Sequence, residues 1–365
     1  MRTIGSLASG RDNNFNLIRV VAAAAVLVSH AWPIALGPEA IEPLATVAPT
    51  SLGRLAVVIF FAVSGFFITK SFERGESLID FGAARVLRLF PGLITVLLLT
   101  LFLLGPAFTH LPLADYFGAR RTWTYVPHNL LLVRLQYDLP ETFAANPFGP
   151  VINGSLWTLW YEVLCYAGVV ATGFAGLLRP RRFPWFLLAY ALLYVAIRAR
   201  HPTLPPPPLM EFSFPFVIGA CFYVFGRHLP LSLGGVMLLA GLAFLLRDTV
   251  VYREAFVLAL AYAVFWVGHL EWPLLRSYNR LGDYSYGIYI FAFPLEQSIV
   301  ALVPGIAPGA LIASALGVTL PCAIASWHWI ERPALAQRHR LGHRLTLSWK
   351  GVRRRPSPLP DPASD

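Results

Sequence analysis

Ionisable side chains are scarce in the apolar stretches of this chain, and two of them, Arg19 and His30, share the first stretch. Their spacing of eleven residues places both within about 20° of one helix face and about 16–17 Å apart along its axis. Charged groups within a membrane span are costly and often functional. Histidine exchanges a proton near neutral pH, which suits a general base. Spacing alone equally favours an arginine at the membrane boundary and a buried structural histidine.

Three further charged residues are candidates for a functional site. Arg85 and Arg88 lie three residues apart on one helix face, so their guanidinium groups can fork onto phosphate oxygens. The alternative is ordinary anchoring at the cytoplasmic side. Glu162 lies inside an apolar stretch, where a carboxylate needs a partner or water; the alternative is a structural pair with an arginine. The small residues Ser64 and Gly65 favour close helix packing.

Composition defines the elements that must position these side chains. Hydrophobic residues make up 56% of the 365 residues and charged residues 13%, and the mean hydropathy is +0.60. Ordinary soluble domains carry about 25% charged residues. These values exclude a soluble globular enzyme, a disordered chain and a disulfide scaffold. The three cysteines all lie in apolar runs and form no CxxC pair, so neither a disulfide framework nor a metal site is expected.

Ten apolar segments predict an all-α, polytopic membrane bundle of about ten helices. They comprise residues 15–36, 51–70, 89–108, 155–178, 183–200, 209–226, 230–246, 252–270, 284–304 and 307–330. The membrane-embedded domain is predicted to cover residues 1–335. Residues 336–365 form a basic, proline-rich tail.

The positive charges indicate an orientation. The net charge is +10, and arginine supplies nearly all of the basic residues. With a cytoplasmic N-terminus, the inner side receives 21 Lys and Arg residues and the outer side 8. Because cytoplasmic loops collect positive charge, both termini are predicted to be cytoplasmic and the number of spans even. The same rule explains the charge without a nucleic-acid partner.

Depth arithmetic separates two groups of side chains. A helix that enters near residue 15 places His30 about 22 Å from the inner boundary. A helix that enters from outside near residue 155 places Glu162 about 10 Å below the outer boundary. The prediction is therefore an outward acid/base pair of His30 and Glu162, with Arg19, Arg85 and Arg88 at the inner boundary.

In order and spacing, these motifs resemble acyltransferase family 3, the bacterial multi-span O-acyltransferases of surface polysaccharides. The resemblance covers about residues 14–333. It rests on Arg19 and His30, on residues 60–65 (FFAVSG), on Arg85 and Arg88, and on residues 153–162 (NGSLWTLWYE), 284–289 (YSYGIY) and 330–333 (IERP). Two positions depart from the family pattern. Asn16 stands where an acidic residue is common, and 292–294 (AFP) replaces a His-x-Pro.

The resemblance implies a donor, an acceptor and roles. Acyl-CoA, most often acetyl-CoA, acts as a cytoplasmic co-substrate, and no cofactor is permanently bound. The acceptor is a hydroxyl of a surface polysaccharide or of its lipid-linked precursor at the bacterial inner membrane. His30 and Glu162 become the candidate catalytic residues, and Arg19, Arg85 and Arg88 the acyl-CoA site. Candidate acceptor-binding residues are Phe61, Ser64, Gly65, Asn153, Ser155, Trp157 and Tyr161.

Two alternatives remain open at this point. One is a flippase or transporter of a lipid-linked glycan, which would share the spans and the buried charges. Inverted repeats are typical of many transporters, and none is evident in this sequence. The other is an O-acyltransferase whose acceptor is a small secreted metabolite.

Overall fold

A computed structural model describes residues 3–7, 13–48, 50–74, 77–200 and 206–338. Within these residues the fold is all-helical, with two isolated β-bridges and no strand. Each predicted apolar segment contains a helix. These are α1 (Phe15–Leu36), α2 (Leu52–Arg74), α3 (Leu78–Leu99), α4 (Trp157–Phe174), α5 (Phe183–Arg200), α6 (Pro208–Val224), α7 (Leu233–Leu245), α8 (Tyr252–Gly268), α9 (Ser285–Leu302) and α10 (Pro308–Ser326).

Local sequence signals set several helix ends. The Ser77 side chain accepts a hydrogen bond from the Asp80 amide at 3.0 Å and caps the start of α3. After Leu99 the same rod continues through a π-helical turn and Gly105–Phe108. Gly37 ends α1 with φ of 104°, a conformation that glycine adopts without a Cβ penalty.

Among the described residues, five helices are long and apolar enough to cross a membrane, or six when one bent pair is counted as a span. They are α1, α2, α5, the rod from Leu78 to Phe108, and the rod from Pro308 to Ala336. The bent pair joins α8 to Pro273–Arg280 at an angle of 83°. Helices α4 and α9 are as long as α5, but carry carboxylates that lower their hydropathy. Ten spans and cytoplasmic termini therefore stay predictions, and residues 339–365 of the predicted tail lie outside the described residues.

Helix α2 lies at the centre and packs against α1, α4, α6 and α8. Its closest approach is to α6. A Cβ on Gly65 would lie 1.9 Å from the Phe216 carbonyl oxygen, and a Cβ on Gly219 would lie 1.9 Å from the Ala62 carbonyl oxygen. Only glycine allows the two backbones to come so near. Gly65 thus has a packing role in this fold.

Helices α1 and α9 pack side by side and run parallel. Arg19 bonds Asp283 just before α9, and Leu27 shares an apolar cluster with Ala292 about two turns further along. The His30 ring then meets Phe293, with centroids 5.2 Å apart. Helix α10 covers the same two helices. This parallel pair carries the charged end and the histidine end of the site described below.

The segment before α4 is irregular and sunk into the protein. Asn153 donates to the Ile290 carbonyl at 2.9 Å, and the Tyr289 hydroxyl donates to the Ser155 carbonyl at 2.7 Å. Thr158 also bonds the Tyr289 hydroxyl, at 2.6 Å. Helix α4 therefore begins beside the first third of α9. This start decides where Glu162 lies.

Candidate active site

A cavity of about 600 Å³ opens among helices α1, α2, α3, α4 and α9. This size falls in the range of small-molecule sites. Five basic side chains line it in the described part of the chain, against one carboxylate, Glu162. The basic residues are Arg19, Lys70, Arg85, Arg88 and Arg338. The excess of positive charge suits an anionic ligand.

Two of the predicted arginines are already bound to carboxylates of the protein. Asp283 accepts from Arg19 and from Arg88, each at 2.6 Å, and Arg88 also reaches Glu331 at 3.0 Å. The Ser285 hydroxyl donates to the same Asp283 at 2.5 Å. Although burial raises the pKa of the Asp283 carboxyl, the two guanidinium groups and Ser285 lower it to about 2. Arg19, Arg88, Asp283 and Glu331 form what is called here the ion-pair cluster.

Arg85 differs from Arg19 and Arg88. It makes no ion pair with any described residue, and its buried Nε atom has no hydrogen-bond partner. Its guanidinium carbon lies 5.6 Å from the Phe81 ring centre and 5.9 Å from that of Tyr166. The rings hold the guanidinium plane on the cavity wall without neutralising its charge. Arg85 is thus the predicted arginine best placed to meet a phosphate.

Glu162 lies at the arginine end of the cavity, apart from His30. It accepts a hydrogen bond from the Tyr166 hydroxyl, whose ring packs on Arg85, and it interacts electrostatically with Arg85. No hydrogen bond joins it to His30 in the described structure. The depth arithmetic that paired Glu162 with His30 is therefore wrong.

The reason lies in the start of α4. The arithmetic assumed that this helix begins at the outer boundary, but Asn153 and Ser155 fix its start to Tyr289 and Ile290 in the first third of α9. Seven residues further along, at 1.5 Å per residue, Glu162 lies about 10 Å nearer to the ion-pair cluster.

His30 lies just beyond the cavity. It is half-buried, its Nδ1 atom is buried without a partner, and it is absent from the residues that line the cavity. Gly53 of α2 lies against Ser29, next to His30, and Val57 lines the cavity. Four residues of helix span about 6 Å. The cavity therefore ends about one helical turn below His30.

The predicted acceptor residues divide into two groups. Phe61 and Ser64 line the cavity. Trp157 and Tyr161 pack with Phe61 in one aromatic group around Phe212, with the Trp157 side chain 39% exposed. Asn153 and Ser155 are buried and hold the start of α4, while Gly65 packs against α6. An acceptor role for each stays a prediction.

Sequence reasoning missed three carboxylates. Asp283 and Glu331 hold the arginines, and the fully buried Glu296 lies in α9. Asp283 directly precedes, and Glu331 lies within, segments that were noted only as motifs. Glu296 lies in an apolar stretch, so the rule that selected Glu162 would also have selected it.

The fold and the site define a class. An apolar helical bundle with a basic cavity that runs toward the half-buried His30 is a membrane protein with an internal, positively charged site. The chain belongs to the acyltransferase family whose domain matches residues 12–328, and it is therefore an acyltransferase.

Two curated relatives extend the comparison. The chain is 29% identical over 347 residues to an "O-acetyl transferase" of Shigella phage Sf6, covering 90% of this chain and 97% of the relative. It is 28% identical over 371 residues to "Nodulation protein 10" of Rhizobium leguminosarum bv. viciae, covering 93% and 98%. No solved structure matches the chain.

Proposed function

We propose that this chain is an O-acetyltransferase that moves an acetyl group from cytoplasmic acetyl-CoA to a hydroxyl of a surface polysaccharide or its lipid-linked precursor. One observation carries the proposal: a basic cavity rises from Arg85 to within about one helical turn of His30. The name of the phage relative, "O-acetyl transferase", supports the acetyl group and the ester product.

The donor would enter with its phosphates at the basic end. Arg85 supplies a charge that no protein carboxylate neutralises within 4 Å in the described chain, while Arg19 and Arg88 are fixed by Asp283. The ion-pair cluster still presents a positive wall, because its arginines line the cavity. Arginine pairs with phosphate oxygens in a bidentate manner, which suits a diphosphate.

The length of the site suits the donor. About 16–17 Å of α1 separates Arg19 from His30, comparable to an extended pantetheine arm. Val57, Phe60 and Phe61 line the upper cavity with apolar surface. The nucleotide would thus stay at the basic end while the thioester approaches His30.

The reaction balances with His30 as the only acid and base. His30 accepts the proton of the acceptor hydroxyl as that oxygen attacks the thioester carbonyl carbon. The carbon–sulfur bond breaks when the tetrahedral intermediate collapses, and His30 returns the proton to the leaving sulfur. The products are the acetyl ester and free CoA, and the enzyme is unchanged. Whether His30 instead carries the acetyl group between two steps is decided by trapping with acetyl-CoA alone.

The acceptor would meet the aromatic group of Phe61, Trp157, Tyr161 and Phe212. Trp157 is partly exposed beside the start of α4. Flat aromatic faces present apolar surface with polar edges, which matches a sugar ring. Under the predicted orientation, with ten spans and both termini cytoplasmic, this group faces outward at the bacterial inner membrane.

The test is transfer by the purified protein in lipid nanodiscs. Radiolabelled acetyl-CoA is mixed with envelope glycan from a strain that lacks this gene. We expect label in alkali-labile esters of the glycan and one free CoA per ester. A matched reaction with glycan extracted from the wild-type strain should incorporate less, because its hydroxyls are already modified.

Two outcomes separate the alternatives. Free CoA and label in a secreted small molecule instead of the glycan would favour the metabolite acceptor. No acetyl-CoA-dependent ester with either extract would overturn the proposal. The family match already places the chain with enzymes, so the flippase alternative has no observation in its favour.

A further inference from the structure

Glu296 of α9 is a carboxyl group without a hydrogen-bond partner among the described residues. It is 0% exposed, and neither of its carboxyl oxygens accepts or donates a hydrogen bond. Burial of an unpaired carboxyl group costs several kcal/mol or more. Inside a membrane helix such a group is by default a functional candidate. The donor cavity does not include it.

The helical angles show which way Glu296 faces. Ala292 packs in a cluster with Leu27, and Phe293 meets the ring of His30. At 100° per residue, Glu296 lies 40° from Ala292 and 60° from Phe293, between these two contacts. Its side chain therefore faces α1.

The register shows at what height it lies. Arg19 bonds Asp283, 264 residues later, and Leu27 packs with Ala292 at nearly the same offset. Because α1 and α9 run parallel, that offset places Glu296 opposite residues 31–32. His30 thus lies one to two residues, about 2–3 Å along the axis, below that level on the facing helix.

His30 brings a second unpartnered polar atom to this level. Its buried Nδ1 has no hydrogen-bond partner among the described residues. Two facing helices therefore each present one unsatisfied polar group at the same interface.

No other charged side chain of α1, α2, α9 or α10 is available to pair with Glu296 or His30 in the described structure. Apart from His30, α1 carries Arg19 at the far end, in the ion-pair cluster. Helix α10 has no charged residue, and Glu296 is the only charged residue of α9, which also carries the Tyr286 and Tyr289 phenols. On α2 the nearest charge is Arg54, which pairs with Glu211.

We propose that Glu296 is the positioning residue of His30. Its carboxylate accepts a hydrogen bond from the Nδ1–H group of the imidazole. Nε2 is thereby fixed as the atom that takes the proton of the acceptor hydroxyl, since the bond to one ring nitrogen sets the role of the other. Such bonds are often long in substrate-free structures and shorten in the reactive complex.

The inference rests on the proposed transferase function and assigns Glu162 a different place. Glu162 serves the donor end through Tyr166 and Arg85, as described above. The Glu296 carboxylate stabilises the imidazolium that forms between the two proton transfers. No proton leaves the His30 pair beyond those moved between acceptor and CoA.

The test compares two substitutions on one helix in the nanodisc assay with acetyl-CoA and envelope glycan. Glu296→Gln keeps the shape and removes the charge. We expect kcat to fall about 10- to 100-fold, the size measured for outer-shell partners of functional histidines, with both KM values within about twofold of wild type. Ser298→Ala is the matched control, because its buried hydroxyl bonds only the Pro294 carbonyl, and should keep wild-type kcat.

The outcomes separate this inference from the function on which it rests. If wild type and Ser298→Ala transfer acetyl and Glu296→Gln equals them, the positioning role is wrong and the function stands. A rise in KM at constant kcat, or an equal loss in Ser298→Ala, also overturns it. If wild type shows no transfer, the proposed function itself fails.

A second variant keeps the test decisive if Glu296→Gln does not fold. Glu296→Asp keeps the charge one methylene further from His30. We expect a kcat between those of wild type and Glu296→Gln, at unchanged KM. Should Glu296→Gln not fold, Glu296→Asp decides alone: a reduced kcat at unchanged KM supports the role, and a wild-type kcat contradicts it.

Discussion

The two ends of the site treat their buried polar groups in opposite ways. At the basic end, Asp283 and Glu331 satisfy Arg19 and Arg88 with ion pairs of 2.6–3.0 Å. At the histidine end, neither the carboxyl oxygens of Glu296 nor the Nδ1 of His30 has a hydrogen-bond partner among the described residues. Both ends lie along the same parallel helix pair. The difference therefore arises from the side chains and not from the fold around them.

This contrast between the two ends distinguishes side chains that stabilise the fold from side chains that take part in the reaction. A buried ion pair with further hydrogen bonds holds its elements in one geometry, and removal of one partner leaves an uncompensated charge. Unsatisfied polar groups stabilise nothing as they stand, and persist where a substrate or a reacting partner engages them. We therefore expect changes at the ion-pair cluster to affect folding, and changes at the histidine end to affect turnover.

The largest effect is expected at His30. His30→Ala should lower kcat for transfer about 10²- to 10⁴-fold, since it removes the general base. Thermal unfolding in detergent should change little, because the ring makes no hydrogen bond through Nδ1. His128→Ala is the control, an exposed histidine on Arg120–Leu131 away from the cavity. A His30→Ala enzyme with full activity would show that the general base does not lie at the histidine end.

The next effect should appear in stability instead of turnover. Asp283→Asn leaves two guanidinium groups without their shared carboxylate, so we expect the free energy of unfolding to fall by about 3–5 kcal/mol. Unfolding in mixed micelles measures it. Arg85→Ala is the matched comparison, because Arg85 makes no ion pair in the described structure, and should lose less than about 1 kcal/mol. Equal losses in both variants would erase the distinction between the arginines.

Arg85 and Arg88 show how much of the site the sequence can predict. Their spacing predicts one shared face, and both do line one cavity. Spacing does not reveal that Asp283, 195 residues from Arg88, neutralises one of them and leaves the other available. Pairings of that separation depend on which helices meet, which hydropathy does not encode. The ten apolar segments, by contrast, follow from composition alone, because each must be helical to satisfy its backbone in an apolar surrounding.

Glu162 shows a second limit. Its helix and its unusual burial follow from the sequence. Its depth depends on where α4 starts, and Asn153 and Ser155 hold that start at the level of Tyr289. Tyr289 lies thirteen residues before the end of α9 at Leu302, or about 20 Å along the axis, which is enough to exchange one end of the site for the other.

A smaller effect should separate Arg85 from the ion-pair cluster. Arg85→Gln should raise KM for acetyl-CoA about tenfold, the equivalent of about 1.4 kcal/mol, with kcat within about twofold. The reason is the loss of one charge-assisted bond to phosphate. Steady-state kinetics in nanodiscs measure it, with the exposed Arg120→Gln as control. An unchanged KM would mean that the donor phosphates are held elsewhere.

The smallest effect concerns pH. Burial raises the pKa of Asp283, but Arg19 and Arg88 lower it to about 2, against about 3.9 for an unfolded chain. A carboxyl group whose pKa is lowered by folding contributes its full stability above the unfolded value and loses it only as pH falls through the folded one. The difference in unfolding free energy between wild type and Asp283→Asn should therefore stay constant from pH 7 to about pH 4 and shrink toward pH 2. A difference that declines already near neutral pH would mean that Asp283 is not held by two arginines, and the contrast between the two ends would lose its basis.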